Sequence, residues 1–233
     1  MEPYVWLKDD YFWNIETRTV CDKNGNVIKT QDVPKDLKRL MKLYGLILQK
    51  GIEKMLYSDI DINVKISELA QRINDDYANI KEPLIIVGIL KGSFIFMADL
   101  VRRLTIPHIV DFMAVSSYGD KIENDGNVRI IMDCRVNQKG RDVLIVEDIV
   151  DSGCTLNYLV NNFKSRGTNS VKSATLLDKR LGRKVNFEAD YVGFEIKSDD
   201  WVVGYGLDAA EKWRTLPYIA AIDKEGYKNG LQK

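Results

Sequence analysis

Residues 143–155 read VLIVEDIVDSGCT. An apolar run ends in two adjacent carboxylates, Glu147 and Asp148, passes Ile149 and Val150, and enters Asp151-Ser152-Gly153-Cys154-Thr155 before a helix-like segment. A buried strand leading through a small-residue turn into a helix is a natural anion site. Backbone N–H groups at the helix start point outward there, and Gly153 lets a phosphate approach closely. Ser152 and Thr155 add hydroxyl donors, so the turn suits a phosphomonoester without any lysine in the loop. Two acids beside such a site make sense if they face sugar hydroxyls, a divalent cation, or positive charge growing on a sugar carbon. An isolated acidic pair would more ordinarily complement the helix dipole, with the turn as capping chemistry. The order strand, E-D-x-x-D-S-G-x-T, helix is far more specific than either part.

Other chemistries are excluded by what the chain lacks. His108 is the only histidine and begins an apolar, strand-like stretch, where a structural role is the ordinary one. Cys21, Cys134 and Cys154 contain no C-x-x-C, which argues against a disulfide framework or a zinc ribbon. There is no G-x-x-x-x-G-K-[ST] sequence, and Gly204-Tyr205-Gly206, expected inside a strand, lacks the third glycine of a dinucleotide fingerprint. Lys plus Arg and Asp plus Glu both total 34, so no global field favours nucleic acid or a membrane surface. No apolar run is long enough to span a bilayer, and MEPYVWLKDDYFWN does not read as a signal peptide. The C-terminal NGLQK matches no retention or peroxisomal address, and a cytoplasmic location is the expectation.

The elements that must hold this turn follow from periodicity. With 45% hydrophobic and 29% charged residues, the chain can build one α/β domain with a sizeable core, or one domain plus an appendage. Residues 1–33 are aromatic and polar around a turn-like DKNGN, which predicts a hairpin or an arm. Leu37, Leu40, Met41, Tyr44 and Leu48 recur at helical spacing over about 35–50. Ile62, Ile66, Leu69, Ile73 and Tyr77 predict a second helix, with Asp61 or Asn63 as N-cap. After Pro83, strands are predicted at 84–90, 109–116, 128–133, 143–147, 171–177, 191–196 and 201–207, with helices at 94–104 and 156–166. Continuous apolar runs such as LIIVGIL mark strands buried on both faces, and strands alternating with helices imply a mainly parallel sheet.

The 143–155 segment resembles the signature by which type I phosphoribosyltransferases bind phosphoribosyl pyrophosphate (PRPP). Over about residues 60–222 the chain is most similar to the hypoxanthine-guanine (6-oxopurine) members, through LKGSFIFMADL, VDFMAVSSYG, LLDKR, VVGYGLD and WRTLPYI in that order. The resemblance implies a mainly parallel sheet flanked by helices with a small hood, residues 1–55 forming an N-terminal extension and 56–233 the transferase domain. It implies that Glu147 and Asp148 address the ribose hydroxyls together with magnesium, that the 151–155 turn holds the 5′-phosphate, and that Ile149 and Val150 are among the substrate-binding residues. Asp151 would act as proton acceptor on the attacking purine nitrogen, with its acidic neighbours raising its proton affinity. Lys91 and Gly92 would meet pyrophosphate, and Ser117 and Tyr118 would belong to a closing lid. Lys179 would donate to the 6-oxo group, Trp201 and Val202 would form the base pocket, Asp208 would hold magnesium and Arg214 pyrophosphate. Glu147, Asp148 and Asp208 are thus the implied metal ligands. Trp201 stands where relatives often carry Phe or Tyr, and Cys154 is assigned no catalytic role.

The implied reaction converts hypoxanthine or guanine and PRPP to IMP or GMP and pyrophosphate in a homodimer or homotetramer; xanthine, giving XMP, stays open. A PRPP-sensing regulator that had lost the chemistry would lack the base, lysine and pyrophosphate residues and carry a basic surface. This chain keeps those residues and has zero net charge. Lys179 argues against an adenine-directed transferase.

Overall fold

The computed structural model describes residues 4–8, 10–14, 19–29, 32–37, 41, 51–117 and 128–222. Three sheets are built from thirteen strands among these residues, and the central one carries the site. Its members are β6 (Leu84–Leu90), β7 (His108–Ser117), β8 (Val128–Met132), β9 (Asp142–Val150), β10 (Ser170–Asp178) and β11 (Tyr191–Glu195), in the order β11-β10-β9-β6-β7-β8. All pair in parallel except the edge strand β8, which runs antiparallel to β7.

Every second residue of the inner strands enters the opposite core, because side chains alternate across a strand. Leu84, Ile86, Leu144 and Val146 pack under helices α1 (Asp59–Asp76) and α2 (Phe94–Val101), against Ile62, Ile66, Leu69, Ile73, Phe96 and Leu100. Ile85, Val87, Val143 and Ile145 face the other way, onto Leu156, Leu159 and Phe163 of helix α3 (Cys154–Ser165). Both faces are covered, which is why these strands read as unbroken apolar runs. His108 opens β7 with Nδ1 2.8 Å from the Ile106 carbonyl, a structural contact as expected.

The chain turns one way from β6 through α2 to β7, and the other way from β9 through α3 to β10. The neighbours β6 and β9 therefore form the topological switch point, where an open α/β sheet leaves a crevice beyond its strand ends. A second sheet, β12 (Trp201–Val203), β13 (Ile219–Ile222) and β5 (Ile52–Tyr57), is antiparallel and forms the hood from the chain's two ends. Ile219 reaches the main core, while Ala220 and Ile222 join Val203, Leu216 and Tyr218 in a hood cluster.

Several expectations need correction. Strand β5 runs across the expected 55/56 boundary and pairs with β13, so the hood begins at Ile52. The N-cap of α1 is Ser58, not Asp61 or Asn63; Asp61 is the third residue of a capping box, accepting from the Ser58 N–H at 2.9 Å. Residues 204–207 leave the sheet after Val203 in a tight turn, with φ of 95°, 51° and 105° at Gly204, Tyr205 and Gly206. That conformation explains the two glycines that the apolar pattern had placed in a strand. Helix α2 stops at Val101, three residues short of the predicted end. The N-terminal residues form a four-stranded meander rather than one hairpin: β1 (Tyr4–Lys8), β2 (Tyr11–Asn14), β3 (Thr19–Asp22) and β4 (Val27–Ile28). Of the predicted 35–50 helix, residues 35–37 and 41 are helical; the rest lies outside the described residues. No helix among the described residues is long and apolar enough to cross a membrane.

Val20, Val33, Leu37 and Met41 form a core cluster separate from those of the central sheet and the hood. Deleting residues 1–50 is therefore expected to leave the cooperative thermal transition of the remaining chain within a few degrees of the intact protein. Circular dichroism melts check this, and a truncated chain that fails to fold would make the meander integral to the domain.

Candidate active site

The carboxyl ends of β6 and β9 bring two separate sequence motifs together. Strand β6 leaves through a cis Leu90–Lys91 peptide bond into Lys91-Gly92, and β9 leaves through Asp151-Ser152-Gly153. The Asp148 carboxylate lies so close to Gly92 that a side-chain carbon there would run into it. Gly206 presses on the same point, since a Cβ on it would meet the Gly92 carbonyl. Glycine at 92 and 206 is what lets strand, loop and hood turn converge.

Beyond β9, Gly153 adopts φ of 79° and starts helix α3, turning the first N–H groups of the helix toward the crevice. Ser152 Oγ accepts from the Cys154 N–H at 3.3 Å. The turn is backed by residues 180–187. Lys184 donates its N–H to the Ser152 carbonyl at 2.9 Å, and Arg183 donates to the Asp151 carbonyl at 2.8 Å while pairing with buried Asp178. A cavity of about 110 Å³ is lined by Glu147, Ile149, Val150, Asp151, Ser152, Gly153, Thr155 and Leu156. Seven of these eight residues belong to the 147–155 segment singled out by its sequence. Asp151 itself is exposed, with its carboxylate against Gly182.

The two acids behind the turn are in an uncomfortable position. Burial pushes the Glu147 carboxyl well above the usual carboxylate range, and the neighbouring Asp148 charge pushes it further. Burial also pushes Asp148 up to about 6, against the opposing pull of the Ile149 N–H, which it accepts at 2.9 Å. Glu147 Oε2 is buried without a hydrogen-bond partner. An unsatisfied buried carboxyl oxygen fits a site meant to receive hydroxyl donors or a hard cation. Both acids behind the turn thus hold protons more tightly than ordinary carboxylates do.

The remaining predicted residues lie on the hood side or the neighbouring strand. Lys179 follows β10, its N–H bonded to the Val150 carbonyl at 2.8 Å. Its buried ammonium meets Asp199 Oδ1 at 3.1 Å and the Asp200 carbonyl at 3.2 Å. Trp201 and Val202 begin β12, and Trp201 is 44% exposed. Asp208 accepts from Arg214 Nη2 at 2.5 Å and from the Glu211 N–H at 2.7 Å. Lys91 is exposed and pairs with Glu211 at 3.0 Å. Among the described residues no three Asp, Glu, His or Cys side chains gather as a metal cage, so Glu147, Asp148 and Asp208 are not drawn into one cluster. Magnesium characteristically takes one or two carboxylates and completes its shell from substrate phosphates and water, which the pair Glu147 and Asp148 suits. Ser117 closes β7; its side chain and Tyr118 lie outside the described residues.

Gly182, Arg183 and Glu211 were not singled out from the sequence, and Gly206 was weighed only as part of a glycine motif inside a strand. Gly182 and Gly206 owe their importance to neighbours distant in the chain, and no local pattern marks such a contact. Arg183, in LDKRLGRKV, could have been flagged as a basic residue beside a motif.

Residues 54–210 match the phosphoribosyl transferase domain family. A hypoxanthine-guanine phosphoribosyltransferase of Bacillus subtilis is 46% identical over 183 residues, 78% of this chain and 100% of that protein. The Dictyostelium discoideum protein of the same name is 44% identical over 75% of this chain and 98% of its own length. The solved hypoxanthine phosphoribosyl transferase of Trypanosoma cruzi aligns with a TM-score of 0.75 at 41% identity, covering 80% of this chain and all of that one.

The buried pair makes stability depend on pH in a definite direction. An unfolded chain releases the Asp148 proton near 3.8, whereas the folded one holds it to about 6. The native state then binds more protons across that window, and stability falls as pH rises through it, by up to about 3 kcal/mol for Asp148. Glu147→Gln with Asp148→Asn is expected to melt near wild type at about pH 4 and several degrees higher at about pH 8. Thermal melts across that range check it; a double variant that loses stability equally at every pH would mean the carboxyls are structural.

Proposed function

This chain belongs to the hypoxanthine-guanine phosphoribosyltransferase family, and from that premise we propose how its residues divide the work. The activity is purine salvage: hypoxanthine or guanine and PRPP give IMP or GMP and pyrophosphate. One observation carries the reading of the site, the phosphate turn 151–155 opening beside Lys91-Gly92 at the switch point of the sheet.

The first N–H groups of α3, with Ser152 and Thr155, hold the 5′-phosphate. Glu147 and Asp148 take the ribose hydroxyls, and their carboxylates favour positive charge growing on the anomeric carbon. Lys91, the Gly92 backbone and Arg214 receive the pyrophosphate. Glu147 and Asp148 would hold one magnesium ion and Asp208, apart from that pair, a second, each with substrate oxygens, and the metal would neutralise charge on the leaving group. Lys179 donates to the 6-oxo group of a base stacked on Trp201, with Val202 at its edge. As the bond from purine nitrogen to anomeric carbon forms, the bond from that carbon to pyrophosphate breaks. The electron pair leaves with pyrophosphate, and the nitrogen's proton passes to Asp151. Ser117 and Tyr118 belong to a lid that keeps water from the activated sugar. Residues 1–51 form an extension outside the chemistry. A homodimer or homotetramer rests on family resemblance and is read from the mass in light scattering. The direct test incubates the protein with PRPP, magnesium and each of hypoxanthine, guanine, xanthine and adenine; IMP and GMP are expected, no AMP, and XMP decides the xanthine question.

Two substitutions separate the roles. Asp151→Asn keeps size but removes basicity, so single-turnover nucleotide formation should fall about 10²–10⁴-fold. PRPP affinity, measured in parallel, should hold, and a wild-type chemical rate would return Asp151 to the status of a turn residue. Lys179→Met should raise KM for the oxopurine about ten- to a hundredfold, as befits one charged hydrogen bond, and spare KM for PRPP. Equal losses on both substrates would mean that Lys179 acts through the fold.

A further inference from the structure

The hood loop that follows β12 contains a carboxylate in an unexpected place. Ala209 and Lys212 exchange backbone hydrogen bonds of 3.3 and 3.1 Å, closing a two-residue turn around Ala210 and Glu211. Both central residues have left-handed φ, 48° and 61°, though neither is glycine. Such turns ordinarily select Gly, Asn or Asp, and a non-glycine pair persists only where its surroundings compensate. Here the compensation is electrostatic. The Glu211 N–H donates to Asp208 Oδ2 at 2.7 Å, and its side chain reaches across the crevice mouth. Oε1 meets Lys91 Nζ at 3.0 Å, and Oε2 lies 3.4 Å from Arg214 Nη2. One oxygen thus goes to each cation, and these are the two cations assigned above to the leaving pyrophosphate.

We propose that Glu211 is an internal competitor of pyrophosphate, its carboxylate bridging Lys91 and Arg214 until an anion with more charge displaces it. The inference rests on the leaving-group roles given to Lys91 and Arg214. Pyrophosphate that takes both cations competes with both Glu211 contacts, because its charge repels the carboxylate and each N–H turned to a phosphate oxygen is withdrawn from Glu211. As pyrophosphate leaves, Glu211 recaptures the two cations and opposes rebinding. The turn gives that exchange a short path, since the Glu211 side chain is 67% exposed and is held by ion pairs to Lys91 and Arg214. Exposed pairs of this kind contribute little each, so the competition is a matter of severalfold rather than orders of magnitude.

The test is calorimetric titration of the full-length protein with magnesium pyrophosphate, comparing wild type, Glu211→Gln and Glu211→Asp. Glu211→Gln should bind pyrophosphate about two- to tenfold more tightly, with product inhibition of the forward reaction strengthened by the same factor. Glu211→Asp keeps the charge but is too short to bridge both cations, so its affinity should also rise. A merely structural role would loosen binding in both variants, and that result, or no change in Glu211→Gln, overturns the proposal. Tighter binding in Glu211→Gln with wild-type affinity in Glu211→Asp would assign the effect to net charge and overturn it too. Nucleotide formation by the wild-type protein is scored separately, so a failed competition is told apart from a failed transferase reading.

Discussion

The contact of the Asp148 carboxylate with the backbone at Gly92 is the constraint on which the site depends. It exists because β6 and β9 are neighbours running in parallel although 51 residues separate the ends Leu90 and Asp142 that the chain must travel between. That adjacency places a loop assigned to pyrophosphate beside a turn assigned to the 5′-phosphate, with the acids proposed to meet the sugar at the end of β9. The hood then joins through Gly206, whose own close approach rests on the Gly92 carbonyl. Three segments far apart in the chain meet at one glycine without a side chain.

The same junction stores an unfavourable arrangement. Glu147 and Asp148 sit side by side, the first half-buried and the second buried, and hold protons more tightly than surface acids do. A core built for stability alone would put apolar or amide groups there, because desolvating carboxyls opposes their ionised form. Covered strands on both faces of β9 supply the surplus that tolerates the pair: Val143, Leu144, Ile145 and Val146 are fully buried immediately before it. Sites that bind charge differentially are expected to be locally unfavourable in this way.

Much of this was legible in the sequence, for reasons that can be named. LIIVGIL and VLIVE advertise two-sided burial, and the parallel sheet follows from their alternation with helices. The phosphate turn is legible because it is local: strand end, glycine and helix start fall within nine residues, 147–155. What escaped was either conformational or distant. The 204–207 turn looks like strand because Val203, Tyr205 and Leu207 alternate as strand residues do; only the φ values show the bend. The hood strand β5 was missed because its partner β13 lies 162 residues further on, from Tyr57 to Ile219, and IEKMLY alone is weakly patterned. The meander 4–28 is built from short strands whose pairing no single segment reveals.

A common feature of the cations assigned to substrates is that the chain supplies each with an acid. Lys91 has Glu211, Arg214 has Asp208, and Lys179 has Asp199. The pairing has a physical reason. Lys91 and Arg214 both approach Glu211, so without it two positive groups would crowd one crevice mouth, repel each other and attract any passing anion. Internal acids lower that repulsion and set a threshold, since an entering ligand must out-compete a carboxylate already in place. A diphosphate carries enough charge and enough oxygens to do so at two cations together, whereas a single carboxylate or chloride does not. Balanced charge in this protein, 34 basic against 34 acidic residues, is therefore compatible with a strongly anionic substrate. On the proposed assignment, selectivity comes from how the acids are distributed around the site, not from their number.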